Sequence, residues 1–200
     1  MNYFKLSLIG LLFTSVAYSQ TETSQKFIPF SVGYWGEHFG SHPGFKVGAQ
    51  FDLYSWEKVK EKKKRTKTKY KSLFAGPQIG YYIHPKNHSV LLLGAEAGYR
   101  RLKANSGLYF AWTLGAAYLQ QFNSGVTYSV DDDGTLTQKS IPSRVYFLPT
   151  LNYEFGQQIN DRIGWYSKYS VGMKMPYNSG MSFHTFLEMG VKLNPFKTSK

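Results

Sequence analysis

The chain has 200 residues, no cysteine, and 24 Lys+Arg against 12 Asp+Glu, a formal net charge of +12. Without cysteine there is neither disulfide stapling nor thiol chemistry, and the length suits one domain with a full interior. Aromatic residues reach 18%, yet no apolar run beyond the N-terminal segment is long enough for a spanning helix, so strands are the remaining means of crossing a bilayer.

In chain order, the opening MNYFKLSLIGLLFTSVAYSQ combines Lys5, an apolar stretch from Leu6 to Val16, and small residues at Ala17 and Ser19. It reads as a secretory signal over 1–19, followed by a short tail at 20–26. From residue 27 to 196, period-2 alternation recurs between turn signals, and eight strands are expected. They fall at about 28–38, 44–55, 71–83, 89–101, from Leu108 onward, 143–156, 162–175 and 182–194. Residues 197–200 form a C-terminal tail.

One face of each run is apolar, as in Leu91, Leu93, Ala95, Ala97 and Tyr99, or Phe183, Leu187, Met189, Val191 and Leu193. The other carries glycines and charges of both signs: Glu37, Lys46, Asp52, Glu96, Arg100, Arg144, Glu154, Lys168, Lys174, Glu188 and Lys192. Charges buried without partners are prohibitive, so these residues are expected as ion pairs lining the lumen of an apolar-out transmembrane β-barrel. Eight antiparallel strands leave an interior just wide enough for side chains to fill, which predicts a plugged lumen. Pro77 and Pro149 lie on the outward face and would each remove a ladder bond.

The basic run 56–71 contains Lys58, Lys60, Lys62, Lys63, Lys64, Arg65, Lys67, Lys69 and Lys71, against Glu57 and Glu61. A solvated hairpin tip explains it, and so does an anionic partner such as lipid head groups, cell-wall polymer or an acidic protein. No nucleic-acid recognition motif is present. The stretch 123–142 reads as a protruding hairpin, with Asp133-Gly134 as a two-residue turn after Asp131 and Asp132. Three consecutive acids do not have the alternating spacing of a calcium loop.

All five histidines, His38, His42, His84, His88 and His184, map to one rim in this topology, either as hydrogen-bonding rim residues or as ligands for a metal such as zinc or copper. No cofactor is otherwise expected. His88 and Ser89 are adjacent on a strand and point to opposite faces, so they cannot act as base and nucleophile.

The terminal strand FLEMGVKLNPF, after a signal peptide and eight alternating strands, resembles the small eight-stranded outer-membrane barrels. The blocks GPQIGYYIHPKNHSVLLLGAEAGYRR and GVTYSVDDDGTL are similar to a group of outer-membrane proteins of Bacteroidota-type bacteria that has no assigned activity. The resemblance implies an all-β, monomeric outer-membrane barrel in contact with outer-membrane lipid. It would be structural, surface-binding or an accessory subunit to another outer-membrane or surface protein. Two alternatives stay open: a lipid A acyl-modifying enzyme, and a soluble exported barrel that binds a small ligand.

Overall fold

A computed structural model describes residues 27–37, 42–62, 65–125, 128–130, 132–138, 142–177 and 180–195. The expected signal, the 20–26 tail and the 197–200 tail lie outside the described residues. The alternating runs form strands β1 (Phe30–Glu37), β2 (Gly44–Ala49), β3 (Phe51–Lys62), β4 (Arg65–His84), β5 (His88–Lys103) and β6 (Leu108–Asn123). They continue as β7 (Tyr128–Val130), β8 (Leu136–Gln138), β9 (Ser143–Gln158), β10 (Ile163–Tyr177) and β11 (Gly180–Leu193).

Pairing is antiparallel and runs β2-β1-β11-β10-β9-β6-β5-β4, and β2 pairs with β4 to close a ring of eight strands. β3 follows β2 after the single residue Gln50 and stays on β4, so the two occupy the place of one expected strand. Phe30 lies opposite Leu193, which puts both described chain ends at one end of the ring, here called basal. The β3–β4, β5–β6 and β9–β10 connections share that end. The His84–His88 turn, the 123–143 excursion and the β10–β11 connection lie at the other, distal end.

Alternation sorts side chains to two faces. On β5, Val90, Leu92, Glu96, Arg100 and Leu102 point inward and are buried, while Leu93 between them is 46% exposed. Large apolar side chains stand exposed on the outer face of every ring strand, from Val32 on β1 through Leu114 on β6 (69%) to Met189 on β11.

The inner face departs from the expected continuous polar lining, because it is layered. Towards the distal end Trp35, Tyr82, Val90, Leu92, Leu119, Tyr146, Leu148 and Phe186 form an apolar cluster inside the ring. Trp35 packs so closely on β4 that its ring lies 3.0 Å from where Gly80 would carry a Cβ. At the basal end Phe27, which precedes β1, enters the ring and packs with Leu102, Tyr109 and Tyr166. The charged layer lies between these two. In the sequence these apolar residues share strands with outward ones, and only closure of the ring makes them a core.

Pro77 and Pro149 stay in their strands, opposite Ala95 and Ala116. Each sits where the ladder on its other side is interrupted. Pro77 lies beside the β2/β3 break, and Pro149 falls between the pairs Gly172↔Thr150 and Met175↔Phe147. The missing N–H is thus placed where no ladder bond is made.

β3 contains a bulge. Phe51 faces Ala75 and Asp52 faces Phe74, but Tyr54 then faces Leu73, so Leu53 is the extra residue. A bulge reverses the parity of all that follows. Beyond it Tyr54, Trp56, Lys58 and Lys60 point outward, where simple alternation from Phe45 would have turned them inward.

Candidate functional site

The charged layer is built from residues on β2, β5, β9, β10 and β11 together with Gln50 at the β2/β3 break. Lys168 on β10 lies 3.0 and 3.1 Å from the two carboxylate oxygens of Glu96 and 3.2 Å from Glu154. Lys192 pairs with Glu154 at 2.5 Å, and Lys46 pairs with Glu188. Gln50, at the β2/β3 break, donates to Glu96 at 2.6 Å and accepts from Lys192 at 2.7 Å and from Arg100. The Tyr166 hydroxyl donates to Glu188 at 2.6 Å. Arg100 also lies against the rings of Phe27 and Phe74, 4.5 and 4.1 Å from their centroids.

Of the eleven residues expected as lumen ion pairs, Glu37, Lys46, Glu96, Arg100, Glu154, Lys168, Lys174, Glu188 and Lys192 are buried inside the ring. Asp52 and Arg144 differ. The Asp52 carboxylate faces inward, half-buried, and joins none of the ion pairs seen among the described residues. Arg144 is exposed near the start of β9, opposite Gln121. It lies above the last buried layer, where a cation can remain in water. Gln50, Tyr82 and Tyr166 are network members that a search for charges passes over; their positions on the polar face were the available signal.

At the distal rim Glu37 is the hub. It accepts from the Tyr82 hydroxyl at 2.9 Å and from Lys174 at 3.4 Å, and it contacts His42 at 3.3 Å and His184. The rings of His42 and His84 are 4.0 Å apart, those of His84 and His88 5.1 Å, and those of His42 and His88 6.4 Å. His42, His84 and His88 therefore meet, and His184 shares Glu37 with His42; His38 lies outside the described residues. Their geometry is nevertheless not that of a metal centre. Among the described residues no group of three or more His, Cys, Asp or Glu is arranged to hold a metal ion. The His84 and His88 rings stack within 17°, and stacked imidazoles present faces to each other while their lone pairs lie in the ring planes.

The turn between those histidines is built on Pro85 and Lys86. The Asn87 N–H donates to the His84 carbonyl at 3.1 Å, and Lys86 has φ 64°. Proline followed by a positive-φ residue is the type II pattern, whose third position favours glycine.

The basic run is an extension of the ring wall. Its pairs are Trp56↔Lys71, Lys58↔Lys69, Lys60↔Lys67 and Lys62↔Arg65, and β5 adds Arg101 beside Lys71 and Lys103 beside Lys69. Lys58, Lys60, Lys67, Lys69, Lys71, Arg101 and Lys103 of three strands thus share one outward face. Lys63 and Lys64 lie outside the described residues. The Lys69 ammonium titrates below the ordinary lysine value, chiefly because of Arg101, then partial loss of hydration and the charges of Lys60, Lys67 and Lys103. The base of this patch is aromatic: Lys71 lies 5.8 Å from the Trp56 ring and 6.0 Å from the Tyr99 ring.

The distal excursion contains a hairpin, but its turn differs from expectation. β7 and β8 form their own two-stranded sheet and are not prolongations of β6 and β9. Val130 pairs with Leu136, so five residues make the connection and Asp133-Gly134 is not a two-residue turn. Gly134 has φ 82°, but Asp133 does not share the positive φ that a type I′ turn needs at both central positions. Instead the Asp133 side chain accepts the Thr135 N–H at 2.9 Å, which holds its carboxyl below the usual aspartate range. Asp132 is exposed and Asp131 lies outside the described residues.

No protein-family model matches this chain, and no curated protein matches it.

Proposed function

We propose that the chain is an outer-membrane β-barrel whose closed, filled ring crosses the bilayer and whose role is structural, surface-binding or that of an accessory subunit, without catalysis. The observation that carries this reading is the inversion of the ring's surface. Exposed large apolar side chains cover its outside, while Glu96, Glu154, Lys168 and Lys192 are buried within it. A soluble ring would place its charges in water and its apolar face inside. Lipid reverses the preference for the outer face and leaves the lumen to ion pairs.

The dimensions agree. Outward positions on β5 are apolar from Leu91 to Tyr99, about nine residues, the length with which a tilted strand crosses hydrocarbon. An aromatic belt follows at the basal border. Tyr99 neighbours Trp56, Trp112 packs on Tyr153 at 4.8 Å, and Phe155 packs on both Phe110 and Trp165 at 5.2 Å. Such girdles mark membrane–water interfaces. Export follows from the signal-like 1–19 segment. The non-catalytic part rests on the lumen charges, which are engaged with one another, and on the filled layers that separate them from both ends.

The test is extraction. In cells making the full chain, the protein is expected to resist salt and alkaline carbonate and to dissolve in detergent, in the outer-membrane fraction. Release by carbonate alone would point to the soluble exported barrel instead. For the functional half, a pull-down from solubilised membranes with and without residues 124–142 should show partner capture that depends on the distal excursion while the ring still folds. Altered lipid A mass on expression would favour the acyl-modifying enzyme.

A further inference from the structure

The β3 bulge has a consequence at the membrane border. It aligns two rows of side chains across β3, β4 and β5 on the outer face: Trp56–Lys71–Arg101 and, one step further from the ring, Lys58–Lys69–Lys103. Lys60 and Lys67 form a third row. Neighbouring strands are about 4.8 Å apart and rows about 7 Å apart, so a group lying between the first two rows is within reach of several cations. Glu57 and Glu61, the acids of this segment, are on the opposite parity and face the other side. Towards the ring the same face becomes apolar. Immediately above Trp56 and Tyr99 the outer wall has a shallow depression, with Leu53, Leu73, Tyr99, Trp112, Leu114 and Leu151 along it.

From bottom to top, this face therefore presents cations, then aromatic rings, then an apolar slot. That is the order of phosphate, glycerol backbone and acyl chain in a phospholipid standing in the adjacent leaflet. Cations this close repel one another, as the depressed Lys69 shows, and an anion between the rows relieves the repulsion. We propose that this face binds an anionic glycerophospholipid, with its phosphate held by Lys58, Lys69, Lys71, Arg101 and Lys103 and an acyl chain in the slot beside Trp112 and Leu114. An acidic protein would complement the cations but leave the slot unused, and free phosphate would do the same. The proposal rests on the membrane-spanning reading above.

The test uses the full chain reconstituted into phosphatidylcholine vesicles with equal mole fractions of either brominated phosphatidylglycerol or brominated phosphatidylcholine. Bromine quenches indoles at close range. The Trp56 signal is isolated by difference from Trp56→Phe, while Trp112 and Trp165 on the aromatic belt report insertion. Brominated phosphatidylglycerol is expected to be enriched at Trp56 about fivefold, the factor equivalent to the ~1 kcal/mol by which one lysine is drawn to an anionic surface. The enrichment should fall to near unity in the combined variant Lys58→Gln, Lys69→Gln, Lys71→Gln, Lys103→Gln, with quenching of Trp165, which lies outside the slot, unchanged. Equal quenching of Trp56 by the two lipids overturns the proposal while insertion stands, and so does an enrichment that survives the four substitutions. Absence of quenching at Trp112 and Trp165 would instead overturn the membrane-spanning reading, and the proposal with it.

Discussion

Replacing Glu154 with Gln would remove one charge from the centre of the lumen with almost no change in volume. Glu154 has no exposed surface and faces two ammonium groups, Lys168 at 3.2 Å and Lys192 at 2.5 Å. The two are not equally dependent on it. Lys168 keeps Glu96 at 3.0 Å, whereas among the described residues Lys192 has no other carboxylate within ion-pair distance and keeps the neutral oxygen of Gln50 at 2.7 Å. The variant therefore strands one buried cation and weakens a second. Removing one partner of a buried pair costs about 3–5 kcal/mol, because the remaining charge stays desolvated. Glu154→Gln is expected in that range. The double variant Glu154→Gln, Lys192→Met removes the stranded charge as well and should recover most of the loss. The assay is reversible urea unfolding in vesicles, followed by tryptophan emission. A loss below about 1 kcal/mol for the single variant, or a double variant no better than the single, would refute the argument that pairing sustains these charges.

Three further outcomes follow from other parts of the ring. Leu114 is 69% exposed, one outward position inside the aromatic border, so Leu114→Arg should be nearly neutral in water but cost about 1–2 kcal/mol in a bilayer, between the interfacial and midplane values; unfolding in vesicles beside detergent-free solubility separates the two. Lys86 holds φ 64° without being glycine, and Lys86→Gly should stabilise the protein by about 1 kcal/mol in the same assay, the ordinary penalty of a left-handed conformation. The Asp133 carboxyl titrates below its usual range because the Thr135 N–H donates to it. Its contribution is thus present above the unfolded aspartate pKa and is lost as pH falls through the lowered folded value. Amide exchange at Thr135 should accelerate over that acid window, and Asp133→Ala should remove the pH dependence.

The parity of each ring strand was legible in the residues themselves, because a period of two is a local property. Leu91, Leu93 and Tyr99 against Glu96 and Arg100 already divide an outer from an inner face, and eight such runs suffice for a ring. Most of the buried charges could be named for the same reason. Arg144 could not be told from Arg100, since both occupy inward parity and only height within the ring distinguishes them. The apolar layers also escaped the pattern. Tyr82, Leu92, Leu119, Tyr146 and Phe186 come from five strands and become neighbours only on closure.

What the amino-acid order determined by itself was therefore the number of ring strands, their parity and the sign of each face. Tertiary structure decided everything that depends on closure or on an interruption of alternation. Gln50 became a hub because its strand is broken where the lumen charges converge, and the histidines met around Glu37 because β1, β2, β4, β5 and β11 share a rim. The basic run acquired one outward cationic face because a single extra residue, Leu53, reversed the parity of β3. A bulge leaves composition and spacing intact, so it is visible only in the pairing register, where it turns every later side chain to the other face.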